Sequence, residues 1–186
     1  VTFIAPAVRA LIAGIIEREG DYVNHPDDRG GPTRWGITEK VARLNGYTGD
    51  MQEYPRADAE AVYLRQYYLG PQFDRVAELN QQVAIELTDT GVLMGPAVAT
   101  RFLQRALNAF NQRGAWWADV DVDGYLGDPE LIALQAFLAR RRIEGVRVLI
   151  SALNCLQGAR LIEITETRSA NESFVYGWIK NRVAMV

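Results

Sequence analysis

Apolar positions along this chain recur mostly every three or four residues and hardly ever every second one. That spacing belongs to helices rather than strands. Pro6 suits the first turn of a helix. Val8, Leu11, Ile12, Ile15 and Ile16 follow at helical spacing, and Gly20 is a natural stop after Glu17, Arg18 and Glu19. Residues 20–36 break the pattern. The run Asn24-His25-Pro26-Asp27-Asp28-Arg29-Gly30-Gly31-Pro32 contains two prolines and paired glycines, which rule out a regular helix. Residues 33–38 suit a short extended piece, and Thr38 suits the N-cap of a helix over 39–44. Turn residues fill 45–50. A helix is predicted over 56–69, with Ala57, Ala61, Val62, Leu64 and Tyr68 as its apolar stripe and Pro71 closing it. Further helices are predicted over 81–93, 96–111, 129–139, 145–167 and 174–183. The fold class that follows is mostly α, with at most a small β-hairpin between Tyr22 and Thr38.

Composition narrows the chemistry. With 48% apolar and 23% charged residues, the 186-residue chain has the make-up of a globular protein with a real core. One cysteine, Cys155, excludes an intrachain disulfide. One histidine, His25, disfavours a zinc peptidase, and a Ser-His or Cys-His site would have to use that residue. Carboxylates are abundant, at 23. The net charge of −3 gives no footprint for nucleic acid. The first 16 residues are too few for a membrane span, and Arg9 interrupts any signal-like apolar region. The expectations are a monomer without stable membrane insertion, and synthesis in the cytoplasm.

Cleaving a glycosidic bond needs a carboxylic acid to protonate the leaving oxygen and a group on the other face to activate water or stabilise positive charge. Glu19, at a helix end before a glycine-rich loop, fits the acid, because neighbours such as Tyr22 and Trp35 can desolvate it. Asp28 lies nine residues on, and the Thr33 hydroxyl five further on can hold a water against it. Gly30 and Gly31 let the backbone approach a sugar chain. Taken alone, the same set fits an ordinary loop, with Glu19 ending the helix, Asp28 in an Asx-turn and Thr33 on the surface.

The unbroken run Glu19-Gly20-Asp21-Tyr22-Val23-Asn24-His25-Pro26-Asp27-Asp28-Arg29-Gly30-Gly31-Pro32-Thr33-Arg34-Trp35-Gly36-Ile37-Thr38 resembles the signature of glycoside hydrolase family 108. That family comprises phage endolysins and related bacterial muramidases. The resemblance implies a lysozyme-like helical fold and hydrolysis of the bond from N-acetylmuramic acid to N-acetylglucosamine in peptidoglycan. It implies Glu19 as catalytic acid. The Glu-Asp-Thr spacing resembles the triad of phage lysozymes and implies Asp28 and Thr33 as its partners. Tyr22, Asn24, Gly30, Gly31, Trp35 and Tyr63 are the expected substrate contacts. Three positions depart from the family pattern: Asp21 for glycine, His25 for aspartate and Arg29 for proline. A charge at Asp21 can raise the pKa of Glu19 if the two carboxyls approach.

The second half resembles the predicted peptidoglycan-binding domain that follows such catalytic domains. The resemblance runs from Asp89-Thr90-Gly91 through Phe102-Leu103-Gln104-Arg105-Ala106-Leu107-Asn108 to the turn Asp123-Gly124-Tyr125-Leu126-Gly127. The implied organisation is a catalytic domain over 1–88 and a helical wall-binding-like domain over 89–186, packed against the first. Bacterial peptidoglycan is the implied partner, reached in the periplasm after release from the host cytoplasm. Asp119, Asp121, Asp123 and Glu130 also satisfy an EF-hand calcium spacing, although Pro129 at the penultimate loop position is foreign to it. No metal or organic cofactor is expected. Arg140-Arg141-Arg142 suit a solvated helix end, and Trp116-Trp117 suit either packing or a sugar platform. The competing functions are a lytic transglycosylase and a non-catalytic wall-binding phage protein.

Overall fold

A computed structural model describes residues 4–24 and 31–183, with only the backbone at Glu19. The chain divides into two compact units, 1–70 and 71–186. The structure is mostly helical with one small sheet.

In the first unit, helix α1 (Pro6–Glu19) presents Val8, Ile12, Ile15 and Ile16, all almost fully buried. Gly20 ends it with a positive φ of 82°, a conformation that favours glycine. Three two-residue strands follow: β1 (Tyr22–Val23), β2 (Thr33–Arg34) and β3 (Ile37–Thr38), antiparallel in that order. The expected hairpin is therefore two hairpins sharing β2. The N-cap at Thr38 forms as the sequence suggests. Its hydroxyl accepts from the Val41 N–H and starts helix α2 (Glu39–Leu44).

A 3-10 turn (Met51–Glu53) leads to helix α3 (Arg56–Leu64), which passes into a π-helical turn (Arg65–Leu69). Helices α1 and α3 pack together and share an ion pair from Arg56 to Glu17 at 3.3 Å. The buried face of this segment is Ala59, Val62, Tyr63 and Tyr68, whereas Ala57 and Ala61 are exposed. The expected stripe was rotated because alanines mark a face weakly. The tyrosines and Val62 carry the apolar area that decides which side turns inward.

The second unit begins with helix α4 (Phe73–Leu79), which the periodicity did not reveal because only Phe73 and Val76 anchor it. Helices α5 (Gln81–Met94), α6 (Pro96–Phe110) and α7 (Asp128–Thr167) form the core, and α8 (Glu172–Arg182) follows. Pro96 sits in the first turn of α6, as expected of proline. The two helices predicted over 129–139 and 145–167 are the halves of α7, joined across a kink at Arg142 (φ 53°, ψ −142°). Gly145 permits that kink. A Cβ there would lie 2.2 Å from the Arg141 Cβ. By length and composition α7 is apolar enough to cross a membrane, and 28% of its most apolar stretch is buried within the protein.

The long connection 111–127 is fastened to α6 by polar side chains. Asn108 brackets Val120 with two hydrogen bonds of 2.8 Å. Gln104, fully buried, donates to the Asp123 carboxylate, the Tyr125 carbonyl and Glu130 Oε1, and accepts from the Gly124 N–H. Trp117 is buried and donates to the Leu107 carbonyl. Trp116 is half-buried beneath the guanidinium groups of Arg140 and Arg141, 5.5 and 4.8 Å from its ring. The tryptophan pair and the arginine run, separate in sequence, thus form one cluster.

Candidate active site

The sheet brings the two ends of the signature segment together. Helix α1 delivers Glu19 to the Gly20 turn, and β1 starts two residues later. Val23 pairs with Thr33 and Tyr22 with Arg34. Cross-strand partners stand about 5 Å apart. Thr33 therefore lies across the strand from a residue four positions after Glu19, and the segment 24–32 is closed at its base by that pair. Thr33 also pairs with Thr38 on its other side, and its hydroxyl donates to the Gly31 carbonyl at 3.3 Å. Asp28, His25 and Gly30 lie outside the described residues, as does the side chain of Glu19.

The turn from β2 to β3 carries the second feature. Its central residues, Trp35 and Gly36, both have positive φ, 55° and 75°. Such turns match the twist of a two-residue hairpin, and their first central position normally takes Asn, Asp or Gly. A tryptophan there is strained. Two contacts hold it. The indole N–H donates to the Tyr54 carbonyl at 3.1 Å, and the Arg34 guanidinium lies 5.2 Å from the ring centre. The ring is half-buried, leaving part of its aromatic face exposed. Arg34 also pairs with Asp21 at 3.0 Å. The negative charge that distinguishes this chain at Asp21 is thus matched by a neighbouring cation. Sequence reading passed over Arg34, yet its place opposite Tyr22 was implicit once β1 and β2 were paired.

Among the other expected contacts, Tyr22 is half-buried, Asn24 is exposed, and Gly31 has a φ of 70° that favours glycine. Tyr63 differs. It is 5% exposed and packs at 5.6 Å against the Tyr67 ring, so its described role is in the core of the first unit.

In the second unit one carboxyl is strongly perturbed. Burial, reinforced by the charge of Asp89, pushes Glu86 up to about 7, against hydrogen bonds from Asn154 and Thr90. Asp89 itself pairs with Arg182. Three of the four EF-hand-like carboxylates, Asp119, Asp123 and Glu130, have structural partners. Asn111 donates to Asp119, Gln104 and the Tyr125 N–H donate to Asp123, and Gly127 N–H donates to Glu130, which closes a capping arrangement at the start of α7. Those donors hold Asp123 below the usual carboxylate range. No group of three or more metal-ligating side chains occurs among the described residues.

Comparison with known proteins places these features in a family. The family model described as glycosyl hydrolase 108 matches residues 12–95, and that described as a predicted peptidoglycan domain matches residues 98–183. No curated protein matches the chain in sequence. Among solved structures, SagA of Brucella abortus is similar, with a TM-score of 0.58 and 22% identity. The match covers 95% of this chain and 98% of that one, a likeness of fold. A hydrolase family followed by a peptidoglycan domain makes this a glycoside hydrolase that acts on peptidoglycan. The chain belongs to the glycosyl hydrolase 108 family over residues 12–95, with a predicted peptidoglycan domain over residues 98–183.

Proposed function

We infer that the protein is an N-acetylmuramidase, hydrolysing the β-1,4 bond from N-acetylmuramic acid to N-acetylglucosamine. One observation carries this reading. The β1–β2 pairing puts Thr33 and Arg34, with the strained Trp35 turn after them, across from the strand that follows Glu19. In the proposed mechanism Glu19 is the general acid and protonates the leaving glycosidic oxygen. Positive charge develops at the anomeric carbon as that bond breaks. Asp28, from the loop between β1 and β2, stabilises that charge or takes a proton from the attacking water. Thr33 holds the water by its hydroxyl. Water attacking from the face opposite the leaving group inverts the anomeric centre. Trp35 offers an aromatic face for a sugar ring, and Gly31 lets backbone approach the chain. No metal or organic cofactor takes part.

The proposed setting is a phage lysis protein, made in the host cytoplasm, acting as a monomer on the wall in the periplasm after release. Digestion of purified peptidoglycan, read by mass spectrometry, tests the reaction. Reducing-end muropeptides from the wild type and none from Glu19→Gln are expected. Products ending in 1,6-anhydro sugars would instead assign a lytic transglycosylase. Undiminished cleavage by Glu19→Gln would remove the catalytic assignment.

A further inference from the structure

A pocket in the first unit shares no residue with the proposed catalytic set. It encloses about 310 Å³, at the lower end of the range for small-ligand sites. The 45–49 turn forms one wall, and Tyr54 with one face of α3 and the π-helical turn forms the other. Its most telling group is the Tyr54 hydroxyl. Tyr54 is 1% exposed, and its hydroxyl has no hydrogen-bond partner among the described residues. Buried polar groups are nearly always satisfied, so an unpartnered one in a pocket wall points to a ligand. Tyr54 lines the pocket beside Asp58 and Tyr47, and the Tyr47 ring stands edge to face with its own at 4.9 Å.

The remaining chemistry of the pocket is a pair of unmatched opposite charges. Asp58 has no side-chain hydrogen bond or ion pair among the described residues. Arg65 meets no carboxylate there; its guanidinium donates only to the Asn45 side-chain oxygen, at 2.6 Å. That amide is fixed from behind by its own hydrogen bond to the Val41 carbonyl. Asp58 and Arg65 are seven residues apart, roughly 10 Å along a helix axis and on the same face. They are too far apart to neutralise each other directly. The span suits a small molecule with an ammonium at one end and a carboxylate at the other. Val62, between them on that face, supplies an apolar floor.

We propose that this pocket binds a zwitterionic amino-acid unit, its ammonium on Asp58, its carboxylate on Arg65, and a hydrogen bond to the Tyr54 hydroxyl. A sugar is a poorer fit, since it leaves both charges unmatched. Two sources share this chemistry: the peptide stems of the wall and free amino acids. Only the first rests on the function proposed above, as peptidoglycan stems carry free amines and carboxylates beside the glycan.

Isothermal titration of the full chain tests the pocket without reference to cleavage. The probes are the tripeptide L-Ala-γ-D-Glu-meso-diaminopimelate, free meso-diaminopimelic acid, free alanine, and the peptide-free disaccharide. Saturable binding of the tripeptide is expected, weakened at least about tenfold by Asp58→Asn and by Arg65→Gln. Tyr54→Phe removes only the unpartnered hydroxyl. It should weaken binding about threefold to tenfold while leaving Tm unchanged or raised. Equal binding of a free amino acid supports the chemistry and assigns the free source; binding of the tripeptide alone assigns the wall stem. Binding of neither, binding untouched by the three variants, or loss of disaccharide binding in those variants with no amino-acid binding overturns the proposal. Loss of activity in Glu19→Gln with intact tripeptide binding leaves the pocket standing, and the converse leaves the catalyst standing.

Discussion

Replacing Glu86 by glutamine should stabilise this protein in mild alkali and do little in acid. Glu86 sits on α5 among buried acceptors. Its own Oε1, Asn154 Oδ1 and Gln157 Oε1 all lack hydrogen-bond partners among the described residues. Gln157 instead donates to Thr90. A carboxylate added to such a set is poorly stabilised, and burial together with Asp89 raises the carboxyl from 4.5 to about 7. Because the folded state holds this proton more tightly than the unfolded chain does, the contribution to stability is complete below pH 4.5. It is lost as pH rises through about 7. At about 1.4 kcal/mol per pH unit, the loss amounts to roughly 3 kcal/mol at pH 8. Glutamine has no charge to lose, and its amide supplies donors where the cluster has an excess of acceptors. Urea unfolding followed by circular dichroism at pH 4.5, 6, 7 and 8 measures both chains. The variant should match the wild type within about 1 kcal/mol at pH 4.5 and exceed it by up to roughly 3 kcal/mol at pH 8. In Tm the gain is about 6–12 °C for a chain of this size. A difference that does not change with pH, or a variant less stable than wild type at pH 8, would refute the reasoning.

Three further outcomes follow from the second unit. Gln104→Ala removes four hydrogen bonds at a fully buried position and leaves Asp123, Glu130 and the Gly124 N–H short of partners. A loss of roughly 3–5 kcal/mol in urea unfolding is expected, and a loss under 1 kcal/mol would contradict the role given to Gln104. Calcium addition or EDTA treatment should leave Tm unchanged, because Asp119, Asp123 and Glu130 already accept from Asn111, Gln104 and Gly127; a calcium-dependent rise would revive the EF-hand reading. Gly145→Ala should be destabilising by about 2 kcal/mol or more, since the added Cβ meets Arg141 where α7 kinks. A neutral effect in the same assay would show that the kink is not a fixed feature.

Most of the fold is legible from periodicity. The stripe from Val8 to Ile16, the Gly20 stop, the Thr38 cap and Pro96 at the start of α6 are local signals, and each has the expected physical effect. What periodicity misses is tertiary in origin. Helix α4 exists on two anchors, Phe73 and Val76. The face of α3 turns by the weight of Val62 and Tyr63 rather than by the alanines beside them. Arg142 continues α7 through a non-helical conformation that no propensity indicates. The site divides in the same way. The residue types and spacing from Glu19 to Thr38 were readable, and so was the family they belong to. The ion pair of Asp21 with Arg34, the positive φ of Trp35 and the pocket at Tyr54 depend on strand register and packing, which the linear sequence does not state. Tyr63 shows the opposite limit. Its aromatic ring reads equally well as a sugar platform or as core, and only its 5% exposure separates the two.

The central claim is that Glu19 donates the proton that breaks the glycan chain. It is tested most directly by mass spectrometry of purified peptidoglycan digested by wild type and by Glu19→Gln. Wild-type digests should contain muropeptides with a reducing N-acetylmuramic acid end. Glu19→Gln should give at most about a thousandth of that yield while unfolding at the wild-type temperature. Equal yields from the two proteins, or anhydro-ended products from the wild type, would contradict it.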